Sequence, residues 1–326
     1  MSILREPLRR LGLPKITSAS AYKGETLGQW VAKGSYYVDS VSDSERFNLQ
    51  VGNVDDLLPV FATSADRMLS ACFETVLSIT AESATSRSSA WLLLRLYYAA
   101  FYAAHALLRL AGQTCSQLDI AQATAVIESA SAYGVAGDVQ KINQGYYHVT
   151  FDWQSLSINF AHAGKNGSHE LLWKCYSDLL ANFVARAPQE LLILQQSIQF
   201  VETLKQLRAV LCRNGLNGGN WLSYMRNTIN YRHSHGVWFP YSQRKRSSSA
   251  MYEKLLSGFL ADPDLPSLTL KAGSRDFDIE LMYRATIFIC SMAREIAIDL
   301  GSRALNPQSP FLSGSLVLLR RSKLTL

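Results

Sequence analysis

From position 225 the chain reads Met225-Arg226-Asn227-Thr228-Ile229-Asn230-Tyr231-Arg232-His233-Ser234-His235-Gly236. On a helix, residues i, i+4 and i+7 share one face, so Arg226, Asn230 and His233 line up over two turns. A guanidinium is permanently charged and grips a phosphate with two donors. An imidazole, with an ordinary pKa of about 6.5, gives or takes a proton near neutrality. Asparagine can orient either group without titrating. Together these residue types suit transesterification of RNA. A base takes the 2′-OH proton, the oxygen attacks the adjacent phosphorus, and the arginine stabilises the charged transition state. That chemistry needs no metal. The spacing alone equally fits a surface arginine beside a structurally satisfied histidine.

The surroundings carry charge of one sign. Between Thr203 and Tyr252 lie Lys205, Arg208, Arg213, Arg226, Arg232, Arg244, Lys245 and Arg246, with no Asp or Glu. That is +8 within a chain whose total is +6. Such a field gathers phosphate backbones and makes their binding salt-dependent. Arg232, Arg244, Lys245 and Arg246 are the candidate RNA contacts. Trp221, Tyr224, Tyr231, Trp238, Phe239 and Tyr241 interleave with these cations, and aromatics can stack unpaired bases. The plain alternative is a basic surface over ordinary core aromatics.

The elements that must position these residues read as helices. Leu57, Val60, Phe61, Met68, Cys72 and Val76 have helical spacing, and an Ala- and Leu-rich helix runs from about Ser89 to Leu110, with Gly112 as its stop. Further helices are expected at about Leu118 to Ala132 and Glu170 to Ala185, then along the apolar stripe Leu191 to Leu211. Two more follow, from Trp221 to about His235 and from Asp278 to Leu300. Residues 1–55 read as an irregular but ordered extension, and 133–170, rich in glycine, as loops and short helices. No sustained period-two alternation and no internal repeat appear, so the expected fold is all or mostly α.

Composition sets the outer bounds. The chain has 326 residues, 48% hydrophobic and 18% charged, which is globular rather than disordered. Five cysteines without a close pair exclude a disulfide scaffold and fit a reducing, cytoplasmic setting. Arg5, Arg9 and Arg10 are followed by no apolar region of a secretory signal. The apolar stretch from Trp91 to Ala111 contains Arg95, His105 and Arg109. Arginine at mid-bilayer costs about 2.5–3.5 kcal/mol, so the stretch reads as a buried helix and no membrane partner is expected. His105 reads as a hydrogen-bonded core histidine. His162 and His169 flank Gly164 to Ser168, which lacks the spacing of a phosphate loop and reads as a flexible loop. No cofactor and no metal ligand set are indicated.

Arg226-Asn227 followed by His233 resembles the R-x(4–6)-H motif of the HEPN superfamily, in which asparagine often follows the arginine. The segment Leu96-Tyr97-Tyr98-Ala99-Ala100-Phe101-Tyr102-Ala103-Ala104-His105-Ala106-Leu107-Leu108 is similar to the tyrosine and small-residue run of an early HEPN helix. Together the matches cover about 90–115 and 190–300. The resemblance implies an all-α, HEPN-like helical bundle at 86–302, interrupted by an inserted helical and loop region at about 116–187. An N-terminal extension with a helical segment (1–85) would precede it and a tail (303–326) would follow. It further implies a metal-independent endoribonuclease, of a kind that serves as a toxin or antiviral-defence effector. Such proteins are commonly homodimers in which two motifs form one composite site. Arg226, Asn227 and His233 would be catalytic, with Asn230, Tyr231 and His235 in support. RNA would be the substrate, and a neutralising or sensor protein a further partner. His235 stands where toxin members silenced by nucleotide transfer carry a tyrosine. Other HEPN-like proteins are non-catalytic modules for RNA or nucleotide binding or for dimerisation, and that is the alternative reading.

Overall fold

A computed structural model describes residues 3–19, 24–43, 45–81, 88–135, 139–164, 167–238, 259 and 278–321. Two short helices, α1 (Arg5–Leu11) and α2 (Leu27–Lys33), lead into strands β1 (Tyr36–Asp43) and β2 (Arg46–Val51). The long helices α3 (Val54–Ala81) and α4 (Ser89–Leu110) follow. Next come β3 (Gln113–Leu118), α5 (Ile120–Ala132), β4 (Gly145–Asp152) and β5 (Ser157–His162). The chain then returns to helices: α6 (Ser168–Glu190), α7 (Leu194–Leu211), α8 (Trp221–Arg232) and α9 (Asp278–Arg303). Two short ones, α10 (Pro310–Ser313) and α11 (Ser315–Arg321), close the described structure.

The all-α expectation is overturned by a five-stranded antiparallel sheet in the order β1-β2-β5-β4-β3. Four of its strands come from residues read as irregular extension (β1, β2) and as glycine-rich loop (β4, β5), and β3 from the junction between two expected helices. The alternation is present but short. Phe47, Leu49 and Val51 on β2, Tyr147, Val149 and Phe151 on β4, and Ile158 and Phe160 on β5 all point into the core. Each run spans only six or eight residues, and the sheet closes through the long-range pairing of β2 with β5. There Phe47 faces Phe160 with their rings stacked at 4.6 Å. Gly145 opens β4 with φ +153°, and a Cβ there would sit 2.3 Å from His162 Nε2. A glycine that reads as loop is thus a strand residue in close contact with the neighbouring strand.

The helical layer centres on α4, which packs against α3, α6, α8 and α9. Its alanines at 99, 100, 103 and 104 are fully buried and let its neighbours approach closely. Gly112, at φ +74°, ends it as expected. By length and composition α4 could cross a membrane, yet 67% of its most apolar stretch is buried inside the protein. Helix α1 is tied to α9 through ion pairs of Arg5 with Glu295 (2.7 Å) and Arg9 with Asp299 (3.0 Å). The first residues are therefore part of the body of the protein.

Candidate functional site

Helix α8 turns one face to α4 by burying Trp221, Leu222, Met225, Thr228 and Ile229. Arg226 lies at the edge of that face, half-buried. Its Nη2 donates to the Tyr98 hydroxyl on α4 at 2.8 Å, and its Nη1 donates to Asn227 Oδ1 at 2.8 Å. The guanidinium carbon lies 5.8 Å from the Tyr98 ring centre and 5.5 Å from that of Tyr231, within cation–π range. Among the described residues no carboxylate pairs with it, and its Nε is buried without a partner. Burial works against the cation, but the hydrogen bond it donates to the Tyr98 hydroxyl and its attraction to the oxygens of Tyr98, Tyr231 and Tyr97 outweigh it and raise the Arg226 pKa. Its described partners are neutral groups, so none of them cancels its field.

The face shared by Arg226, Asn230 and His233 does not extend to the histidine, because α8 ends at Arg232. His233 takes a left-handed backbone (φ 49°), its N–H closing on the Thr228 carbonyl, and His235 does the same at φ 69°. Non-glycine residues in this region cost about 1–3 kcal/mol each, and such strain concentrates at functional sites. The turn is pinned by Trp238. Its Nε1 donates to the Ile229 carbonyl at 2.8 Å, and its ring meets Trp91, at the start of α4, edge-on at 5.2 Å. His233 lies against Trp238 with ring centres 5.6 Å apart. His235 Nε2 is 3.4 Å from Thr228 Oγ1. That hydroxyl already donates to Met225 O, so the imidazole supplies the hydrogen.

The structure therefore gathers Tyr98, Asn227 and Tyr231 around Arg226 and sets His233 and His235 on the turn beyond the helix. Asn230 is half-buried on α8, and Arg232 is its exposed last residue. Tyr231 (69% exposed) and Trp91 (56% exposed) are open aromatics on α8 and α4. Lys205, Arg208 and Arg232 are exposed with no carboxylate partner among the described residues, whereas Arg213 is held by Asp278 at 3.1 Å. Arg244, Lys245 and Arg246, with Phe239 and Tyr241, lie outside the described residues.

Residues that the sequence reading passed over complete the cluster. His169 sits in the first turn of α6 rather than in a loop. Its Nδ1 is 2.8 Å from the Tyr97 hydroxyl, and its ring lies 4.5 Å from Phe101 and 6.1 Å from Tyr98. Trp173, one turn further along α6, donates its Nε1–H to the same Tyr97 hydroxyl at 3.0 Å. Burial, and next the positive charge of Arg226, push the His169 pKa below its ordinary value. No local spacing announces this group, because His169 and Arg226 are brought together only by the packing of α6 and α8 on α4. His162, its apparent companion in sequence, belongs to β5 beside Tyr147.

Deeper on α4, Arg109 Nη1 donates to His105 Nδ1 (3.0 Å) and to the His105 carbonyl (2.9 Å). Burial, then Arg109, then His169 push His105 well below the usual histidine range, which matches the core role read from sequence. Among the described residues no group of three His, Cys, Asp or Glu is placed to hold a metal ion. A cleft of about 470 Å³ on another set of elements is lined by Asp66, Arg67, Ser70, Glu74, Ser313 and Gly314. There the Asp66 carboxylate is committed to the Ser315 N–H (2.9 Å) and hydroxyl (2.7 Å), so we assign no chemistry to it. No protein-family model, curated protein or solved structure matched the chain.

Proposed function

We propose that the protein is a metal-independent endoribonuclease of HEPN type that cleaves RNA by attack of the 2′-OH on the adjacent phosphodiester. One observation supports the reading. Among the described residues Arg226 is a half-buried cation held by neutral groups alone, with exposed aromatics on α8 and α4. Among the described residues no anion faces the guanidinium, and a phosphate supplies one with charge-assisted hydrogen bonds. Arg226 is the transition-state clamp, Asn227 holds its Nη1, and His233 on the strained turn transfers a proton to or from the reacting oxygens. Tyr231 and Trp91 offer faces to unpaired bases. The substrate is single-stranded or loop RNA, and the products carry 2′,3′-cyclic phosphate ends. A homodimer, a cytoplasmic setting and a role as toxin or antiviral effector, with a neutralising or sensor partner, belong to the same proposal.

The test is cleavage of single-stranded RNA in EDTA by the wild-type protein, Arg226→Ala and His233→Ala. The expected result is cyclic-phosphate ends from the wild type alone. Equal cleavage by all three would remove the site. Salt-sensitive RNA binding with no cleavage by any of them would instead mark a non-catalytic binding module.

A further inference from the structure

We propose that the Nε2–H of His169 binds the phosphate backbone of RNA as an uncharged donor beside Arg226. The inference rests on the ribonuclease reading and adds a substrate-binding group to it. Tyr97 and Tyr98, consecutive on α4, carry one group each. The Tyr98 hydroxyl accepts from Arg226 Nη2 at 2.8 Å, and the Tyr97 hydroxyl meets His169 Nδ1 at 2.8 Å. The Tyr98 ring neighbours both groups, its centre 5.8 Å from the guanidinium carbon and 6.1 Å from the His169 ring centre. A guanidinium from α8 and an imidazole from α6 are thus held against one turn of one helix.

The hydrogen bonds at Tyr97 set the tautomer. An indole N–H can only donate, so the Tyr97 oxygen accepts from Trp173 Nε1 at 3.0 Å. Tyr97 is fully buried, and the described acceptor for its phenolic hydrogen is His169 Nδ1. His169 therefore accepts at Nδ1 and carries its own hydrogen on Nε2. That nitrogen has no partner among the described residues and is not sealed from solvent. Phe101, at 4.5 Å, fixes the ring from the side, so the free N–H keeps its direction.

The surroundings select the ligand. The charged and titratable groups facing the ring are Arg226 from α8 and Tyr97, Tyr98 and His105 from α4. None is a carboxylate that would take the Nε2 hydrogen or hold a second proton on the ring, and burial with Arg226 keeps the imidazole neutral. A free N–H beside a cation suits an anionic acceptor, and hydrogen bonds to an ionised acceptor are about twice as strong as neutral ones. A phosphodiester presents two non-bridging oxygens, so guanidinium and imidazole grip the same backbone. Being uncharged, His169 neutralises no phosphate and releases no counterion. It adds affinity without adding salt dependence, whereas Arg226 adds both.

The experiment titrates a fluorescent deoxyribose oligonucleotide, which cannot be cleaved, over a range of salt. Wild type, His169→Asn, His169→Gln and Arg226→Ala are compared. Asparagine keeps an acceptor for Tyr97 but places no donor where Nε2 stood, and glutamine carries an amide N–H out to that place. The expected result is that His169→Asn binds about 10–100-fold more weakly, as when one hydrogen bond to a charged group is lost. His169→Gln recovers most of the affinity. The slope of log affinity against log salt stays that of the wild type in both, while Arg226→Ala lowers it by about 1. If His169→Asn binds like the wild type while Arg226→Ala is weakened and inactive, the assignment is overturned and the ribonuclease reading stands. An equal loss in His169→Asn and His169→Gln shows a structural role and also overturns it. A lowered salt slope in His169→Asn shows a charged imidazolium contact and overturns the uncharged donor. If the wild type neither binds the oligonucleotide nor cleaves RNA, the ribonuclease reading falls and takes this assignment with it.

Discussion

Arginines are used in opposite ways in two regions of this molecule. Where α1 meets α9, they are matched to carboxylates. Arg5 and Arg294 share Glu295 at 2.7 and 2.9 Å, and Arg9 and Arg303 share Asp299 at 3.0 and 3.2 Å. Where α8 meets α4, Arg226 is held by a phenol, an amide and two ring faces. A carboxylate partner cancels the field of a guanidinium, whereas a neutral one fixes its position and leaves the charge to act. The first arrangement attaches the N-terminal helix to the body of the fold. The second holds a cation to which no described carboxylate is paired.

The contrast can be broken from either side. Glu295→Ala removes a carboxylate that is 1% exposed and strips Arg5 and Arg294 of their shared partner. Breaking a buried pair costs about 3–5 kcal/mol, so denaturant unfolding will show a loss of that order, with activity per folded molecule unchanged. Arg226→Ala will do the reverse. Cleavage falls about 10²–10³-fold, as when one preorganised transition-state donor is removed, while the unfolding midpoint barely moves. Arg226→Lys will not restore the rate, because an ammonium lacks the fork that spans Tyr98 and Asn227. Tyr231→Ala will weaken binding of a single-stranded oligonucleotide by about 1–3 kcal/mol if a base stacks there, read by fluorescence titration at fixed salt.

The smallest effect is the dependence of stability on pH. The pKa values of His169 and His105 are both lowered by burial and neighbouring cations. The folded state then binds fewer protons than the unfolded chain near the ordinary histidine pKa of about 6.5. Their contribution is fully present above that value and is lost as pH falls from it toward their lower folded values. Urea midpoints at pH 7.5 and 5.5 will show the decline, and His105→Gln will shrink it. An unchanged slope in that variant would place the titration elsewhere.

Several parts were legible along the chain. Helix α4 announces itself by its alanines and leucines and by Gly112, because those choices act within a turn or two of backbone. The charge and residue types of the Arg226 to His235 stretch were legible for the same local reason. The sheet was not. Its strands are short, and β2 finds β5 only after the chain has laid down α3, α4 and α5 between them, so no window along the sequence contains the pair. The expected helical alignment of Arg226 with His233 met a similar limit. Spacing assumes a continuing helix, and the helix stops one residue short where Trp238 draws the turn back onto α4.

The sequence by itself determined the composition of a globular chain, the positions of its longest helices and an acid-free basic segment around Arg226. Those properties depend on residue type and near-neighbour periodicity alone. Tertiary structure decided that Arg226 should meet tyrosine rather than carboxylate, and that an imidazole from α6 should join it. Both outcomes depend on which helix faces pack on α4, and packing is settled by long-range burial that local spacing does not encode.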